Sequence, residues 1–127
     1  MSIKVIATNK APGAVGPYSQ AIQAGDFLFA SGQIALDPAT GEIVSGGIEA
    51  QAEQAMKNAA AILEEAGLSF DNVVKTTVYL TDMGSFGVVN GIYGKYFQKT
   101  LPARSCVEIS KLPKGALVEV EVTAYKG

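Results

Sequence analysis

Apolar and polar residues alternate first over "IKVIA" (3–7), which reads as a short strand. "NKAPGAVGPYS" (9–19) carries two prolines and two glycines and predicts an ordered loop. Two apolar runs, "QAIQAG" and "FLFASGQIA", flank the turn dipeptide Gly25-Asp26 and predict a hairpin. A second turn, "DPATGE" (37–42), has Pro38 and Gly41 at turn positions. From Ile48 to Ala66 the period becomes helical. Ile48, Ala52, Ala55, Ala59, Ile62 and Ala66 recur at steps of three and four, with Met56 and Leu63 beside them. Glu49, Glu53, Lys57 and Glu64 take the opposite face, and Gly67 stands where the helix should end.

"NVVKTTVYL" (72–80) is β-branched and alternating, a strand pattern. Asp82 or Ser85 can cap a second helix with Phe86, Val89, Tyr93 and Phe97 on one face and Pro102 beyond its end. Gly87, Gly91 and Gly94 weaken that helix, which implies close backbone packing there. "RSCVEI" (104–109) and "LVEVEVTAY" (117–125) are the last two strands. The order βββ-α-β-α-ββ predicts a single α+β domain, residues 1–127, with two helices on one face of a mixed sheet.

Period two puts Val118, Val120, Val122 and Ala124 on the helix side, and Leu117, Glu119, Glu121, Thr123 and Tyr125 on the other. That second face mixes apolar and charged groups, and nothing in the chain is left to cover it. A homo-oligomer of cyclic symmetry, joined through this sheet face, solves the problem.

The length suits one compact domain that buries about two-thirds of its unfolded surface. Net charge −2, a pI of about 5.0 and scattered lysines offer no basic stripe, so neither nucleic acid nor membrane is an expected partner. Cys106 is the single cysteine, which rules out an intramolecular disulfide. "MSIKVIATNK" lacks the apolar core of a signal peptide, and no run approaches the length of a membrane span. The expectation is a soluble cytoplasmic protein.

Histidine is absent, so a His/Cys zinc site, a Ser-His-Asp triad and a Cys-His pair are excluded within one chain. "APGAVGPYS" lacks the Lys-Ser/Thr ending of a phosphate-binding loop, and "GSFGVVNGIYG" does not match a dinucleotide fingerprint. Any catalysis must use carboxylates, arginine, tyrosine, hydroxyls, backbone groups and water.

Arg104 is the sole arginine. If Val107 and Ile109 face the helices, Arg104, Cys106 and Glu108 join Glu119 and Glu121 on the opposite side. A guanidinium presents a planar fork that matches a carboxylate with two parallel hydrogen bonds. Arg104 then either ties strands together by pairing with Glu119 or Glu121, or anchors the carboxylate of a ligand. Cys106 reads as a small apolar residue, since no histidine is available to make its thiolate.

Five stretches in order, "GPYSQA" (16–21), "SGQI" (31–34), "VKTTVYL" (74–80), "PARSCVEI" (102–109) and "VEVEVTA" (118–124), make the chain resemble the reactive-intermediate deaminase family, also called YjgF or RidA. The likeness runs from Thr8 to Tyr125. It implies a chorismate-mutase-like fold, a homotrimer with sites in the clefts between subunits, and no cofactor. It also implies hydrolysis of 2-imino acids such as 2-iminopropanoate and 2-iminobutanoate to 2-keto acids and ammonia.

By the same resemblance, Arg104 would hold the substrate carboxylate and Glu119 would stand near the attacking water. Tyr18 would close the cleft, Ser31 and Gly32 would line it, Asn90 would lie near it, and the Cys106 backbone would contact the ligand. Each has a plainer structural role open to it, as strand pairing, loop packing or turn shaping. Two other functions reported for relatives stay open: a ligand-sensing or holdase-like role without catalysis, and ribonuclease activity, which the lack of histidine and of a basic stripe disfavours.

Overall fold

The structure, a computed structural model, describes residues 2–127. Six strands form one mixed sheet: β1 (Ile3–Ile6), β2 (Ala21–Ala24), β3 (Phe27–Ala30), β4 (Val73–Leu80), β5 (Ala103–Glu108) and β6 (Val118–Tyr125). Their spatial order is β1-β2-β3-β6-β4-β5. Every pairing is antiparallel except β4 with β5, which are joined through the helix α2 (Phe86–Gly94). The long helix α1 (Gly47–Glu65) connects β3 to β4. The expected order of strands and helices is the observed one, with Gly25 at φ 59° turning the β2–β3 hairpin. No helix among the described residues is long and apolar enough to cross a membrane.

The alanine stripe explains how α1 sits on the sheet. Ala52, Ala55 and Ala59 are buried beside Met56, Ile62 and Leu63, against Val118, Val120 and Val122 of β6. Small side chains let helix and sheet approach, while the larger ones fill the gaps between them. Gly67 closes the helix at φ 76°: its N–H donates to Glu64 O, and Leu68 N–H donates to Leu63 O, the paired bonds of a left-handed helix stop.

Two polar residues of α1 are buried for a different purpose. Asn58 Nδ2 donates to Ile34 O (3.0 Å) and Leu36 O (2.9 Å), and Gln51 Oε1 accepts from Leu117 N (2.8 Å). These bonds satisfy main-chain groups outside the sheet ladder and clamp the 34–36 segment and the entry into the Glu119 strand.

Three expectations need correction. β5 has the opposite orientation: Arg104, Cys106 and Glu108 pair in parallel register with Thr76, Val78 and Leu80, all buried beneath the helices. Arg104 and Cys106 therefore lie on the helix side, away from Glu119 and Glu121. The apolar positions Val107 and Ile109 do not seek the main core. Ile109 packs in a second cluster on the other side with Ile34, Leu36, Leu112 and Ala116, and Val107 stays exposed at the sheet edge.

The glycines of α2 are not tightly packed within the chain. A Cβ added at Gly87, Gly91 or Gly94 would meet nothing within 4 Å. α2 is also shorter than its apolar face suggests. It stops at Gly94, and Phe97 reaches the core from the turn beyond, against Tyr93 and Phe70. Asp82 caps a one-turn 3-10 segment ahead of α2, accepting from Gly84 N at 2.8 Å, whereas Ser85 makes no capping bond.

Candidate active site

The residues singled out in the sequence fall into two groups on opposite faces of the sheet. On the helix side, Arg104 Nη1 donates to Asn90 Oδ1 at 2.7 Å. Its guanidinium carbon lies 5.0 Å from the Tyr93 ring centre and 5.5 Å from that of Phe86. Two aromatic faces and an amide oxygen hold the cation without neutralising it. The Tyr93 hydroxyl shares a 2.7 Å hydrogen bond with Thr76 Oγ1, which fixes the ring under the guanidinium. Burial raises the Tyr93 pKa above its ordinary value, so the ring stays neutral. Arg104 forms no ion pair among the described residues, and the strand-tying role with Glu119 or Glu121 is absent within the chain.

Cys106 follows on the same face, half-buried against the core. Burial pushes its thiol pKa up and the Arg104 charge offsets only part of that, so the side chain is a neutral apolar filler. Phe86 and Tyr93, the walls of this cradle, stood out in the sequence only as apolar helix positions.

On the open face a cavity of about 410 Å³ is bounded by Tyr18, Ser31, Gly32, Ile34, Lys114 and Glu119, with Glu121 beside them. Main-chain bonds fix its floor: Gln33 N donates to Val120 O (2.8 Å) and Val120 N to Gln33 O (3.0 Å). The Ser31 hydroxyl donates to Ser19 O at 2.7 Å, so it ties the Tyr18 loop to the floor. Gln20 does more for that loop. Its buried amide donates to Thr8 O, Ala11 O and Pro12 O and accepts from Thr8 N, satisfying a stretch that has no ladder partner. Tyr18 itself is half exposed at the rim, its hydroxyl accepting from Val15 N at 3.3 Å.

Glu119 rests directly on Gly32. A Cβ added there would come within 2.6 Å of the Glu119 carboxyl, so the glycine is needed for close approach. Burial, followed by the like charge of Glu121, raises the Glu119 pKa above the usual carboxylate range. A carboxylate whose pKa is raised in this way holds a proton more readily than an exposed one, which suits it to exchange a proton with a bound water. Gly32→Ala should displace the Glu119 side chain, and any turnover that uses this carboxylate should fall about tenfold, since small misplacements of a reacting group are costly. A crystal structure of the variant alongside its kcat checks this; wild-type turnover with Glu119 unmoved would show that the close approach is irrelevant.

The geometry thus defines a small α+β domain with an aromatic-walled guanidinium, free of ion pairs among the described residues, on one face and a half-buried carboxylate in a cavity on the other. A family model described as Endoribonuclease L-PSP matches residues 8–126, and the chain belongs to this family, the YjgF/RidA family. A Mus musculus protein named 2-iminobutanoate/2-iminopropanoate deaminase is 53% identical over 98% of this chain and 92% of its own. The crystal structure of YyfA, a Rid-family protein of Yersinia pestis, superposes with a TM-score of 0.94 at 51% identity, covering 98% of this chain and 99% of that one. E. coli TdcF, solved with bound serine, gives a TM-score of 0.93 at 41% identity, over 98% and 99% of the two chains.

Proposed function

We propose that this protein hydrolyses 2-imino acids such as 2-iminopropanoate and 2-iminobutanoate to 2-keto acids and ammonia, at sites shared between the subunits of a homotrimer. The observation that carries the reading is the separation of Arg104 and Glu119. Each is equipped for one part of imine hydrolysis, and they point to opposite sides of one sheet. A second copy that brings its Arg104 edge to this chain's Glu119 cavity completes the site.

The open face supplies a reason to assemble. Ile3, Val5, Phe27, Phe29 and Tyr125 are exposed there in neighbouring register, at 42–64% of their full surface, a clustered apolar row of the kind that marks interaction surfaces. The deaminase name of the mouse relative and the serine held by TdcF, a small amino acid, support the substrate class.

In the mechanism, Arg104 binds the substrate carboxylate through the guanidinium edge not used by Asn90. Glu119 takes a proton from water as the oxygen attacks the C=N carbon, and the imine nitrogen takes up a proton from solvent. The resulting carbinolamine loses ammonia when Glu119 returns its proton to the nitrogen and the hydroxyl proton passes to solvent, leaving the keto acid. The lone free thiol of Cys106 accords with a reducing compartment, and the cytoplasm is the proposed place of action.

The family description also names an endoribonuclease. This chain offers RNA no histidine and no basic stripe, and its arginine is recessed beneath α2. Adding the protein to freshly generated 2-iminopropanoate should speed keto-acid release above the spontaneous background, and sedimentation at micromolar concentration should show a trimer. Background-level release, or a monomer, would defeat the reading.

A further inference from the structure

The turn between β5 and β6 places Lys114 at φ 57° and ψ 23°, the only non-glycine residue with positive φ among the described residues. Gly115 follows at φ 70°, and Ala116 N–H closes the turn onto Pro113 O at 3.1 Å. Glycine and asparagine suit such a position; lysine has no short polar side chain to ease it. Residues held in this region against their preference concentrate at functional sites.

Two further observations say what the lysine does. Lys114 borders the Glu119 cavity, where Glu119 and Glu121 supply the opposing charge. Its ammonium is also left unneutralised. Lys10, Lys95 and Lys99 pair with carboxylates, but Lys114 forms no ion pair among the described residues and donates only a long 3.3 Å bond to Gly41 O. That weak bond leads to the turn at Gly41, while the lysine itself lines the cavity. Two carboxylates in a recess repel an anionic substrate, and a cation beside them reverses that effect.

We propose that Lys114 admits the anionic substrate to the Glu119 cavity, offsetting the two carboxylates from a turn whose left-handed backbone holds it at the rim. This rests on the reading of the cavity as a 2-imino acid site. Lys114→Asn removes the charge and suits the backbone. It should lower kcat/KM about three- to tenfold at low ionic strength while kcat stays within about twofold. The deficit should vanish at about 1 M salt, where the screening length is about 3 Å. Its thermal midpoint should rise by about 2–4 °C as the strain is relieved, and Lys114→Arg should keep wild-type kcat/KM.

Unchanged kcat/KM in Lys114→Asn, with active wild type, overturns the inference and leaves the proposed activity standing. So does a loss accompanied by a lower midpoint, which marks a folding defect. If wild type releases no keto acid above background, the proposed activity fails, and pyruvate binding by calorimetry decides about Lys114. A three- to tenfold weaker affinity in Lys114→Asn supports the inference, equal affinity overturns it, and no binding by wild type overturns both.

Discussion

Glu119→Gln should reduce imine turnover by about 10²–10⁴ while leaving ligand binding nearly intact. Glutamine keeps the size of the side chain and its place on Gly32 but cannot take a proton from water. The Arg104 cradle is on the other face and does not depend on it, so a stable 2-keto acid such as pyruvate should bind as in wild type, measured by calorimetry. Stability at neutral pH should not fall either. A carboxylate whose folded pKa is raised stabilises the fold below its unfolded pKa and loses that contribution as pH rises through the folded value. Ionised Glu119 is thus a mild burden that the amide removes. Full hydrolase activity in the variant would eliminate Glu119 as proton shuttle.

The same shift sets the pH profile. Because burial and then Glu121 raise the Glu119 pKa, activity should fall on acidification at a pH above the ordinary carboxylate range. In Glu121→Gln the like charge is gone and that limb should move to lower pH, with a much smaller loss of turnover than Glu119→Gln causes.

The valine row of β6 and the alanine stripe of α1 made the layering of the fold legible, because each repeats a single period against one buried surface. β5 was misread for a physical reason. An edge strand has one neighbour, and its apolar residues can serve a satellite cluster or a subunit contact as well as the main core, so alternation alone does not say which set faces the helices. That orientation determines whether Arg104 and Glu119 meet in one chain or require two. The motif residues Tyr18, Ser31, Gly32 and Glu119 do gather at one cavity, and Asn90, Arg104 and Cys106 at another place. Gln20 stood in the "GPYSQA" stretch with no role attached to it, and Asn58, which also holds a cavity segment, lay in no motif. Their work is to satisfy main-chain groups whose lack of partners shows only in three dimensions. Lys114 looked like any solvated lysine until its φ was known.

Arg104→Lys should lower kcat/KM for 2-iminopropanoate by about 10² with fold and assembly preserved. Lysine keeps the charge, so a simple need for a cation predicts little change. The guanidinium, however, lies over the Phe86 and Tyr93 rings and is bonded to Asn90, which constrains the direction of its remaining N–H donors. An ammonium has no fork, cannot stack in that way, and would offer the substrate one loosely aimed bond in place of two. Loss of one charge-assisted bond of about 1.5–3 kcal/mol corresponds to about 10–10² in rate, and misalignment at the C=N carbon adds to it. Pyruvate affinity should fall in parallel, in contrast to Glu119→Gln, where binding survives and turnover does not. That opposite pattern in the two variants separates an anchor from a proton shuttle. Near-wild-type kcat/KM and pyruvate binding in Arg104→Lys would show that the arginine serves only to pack α2 against the sheet edge.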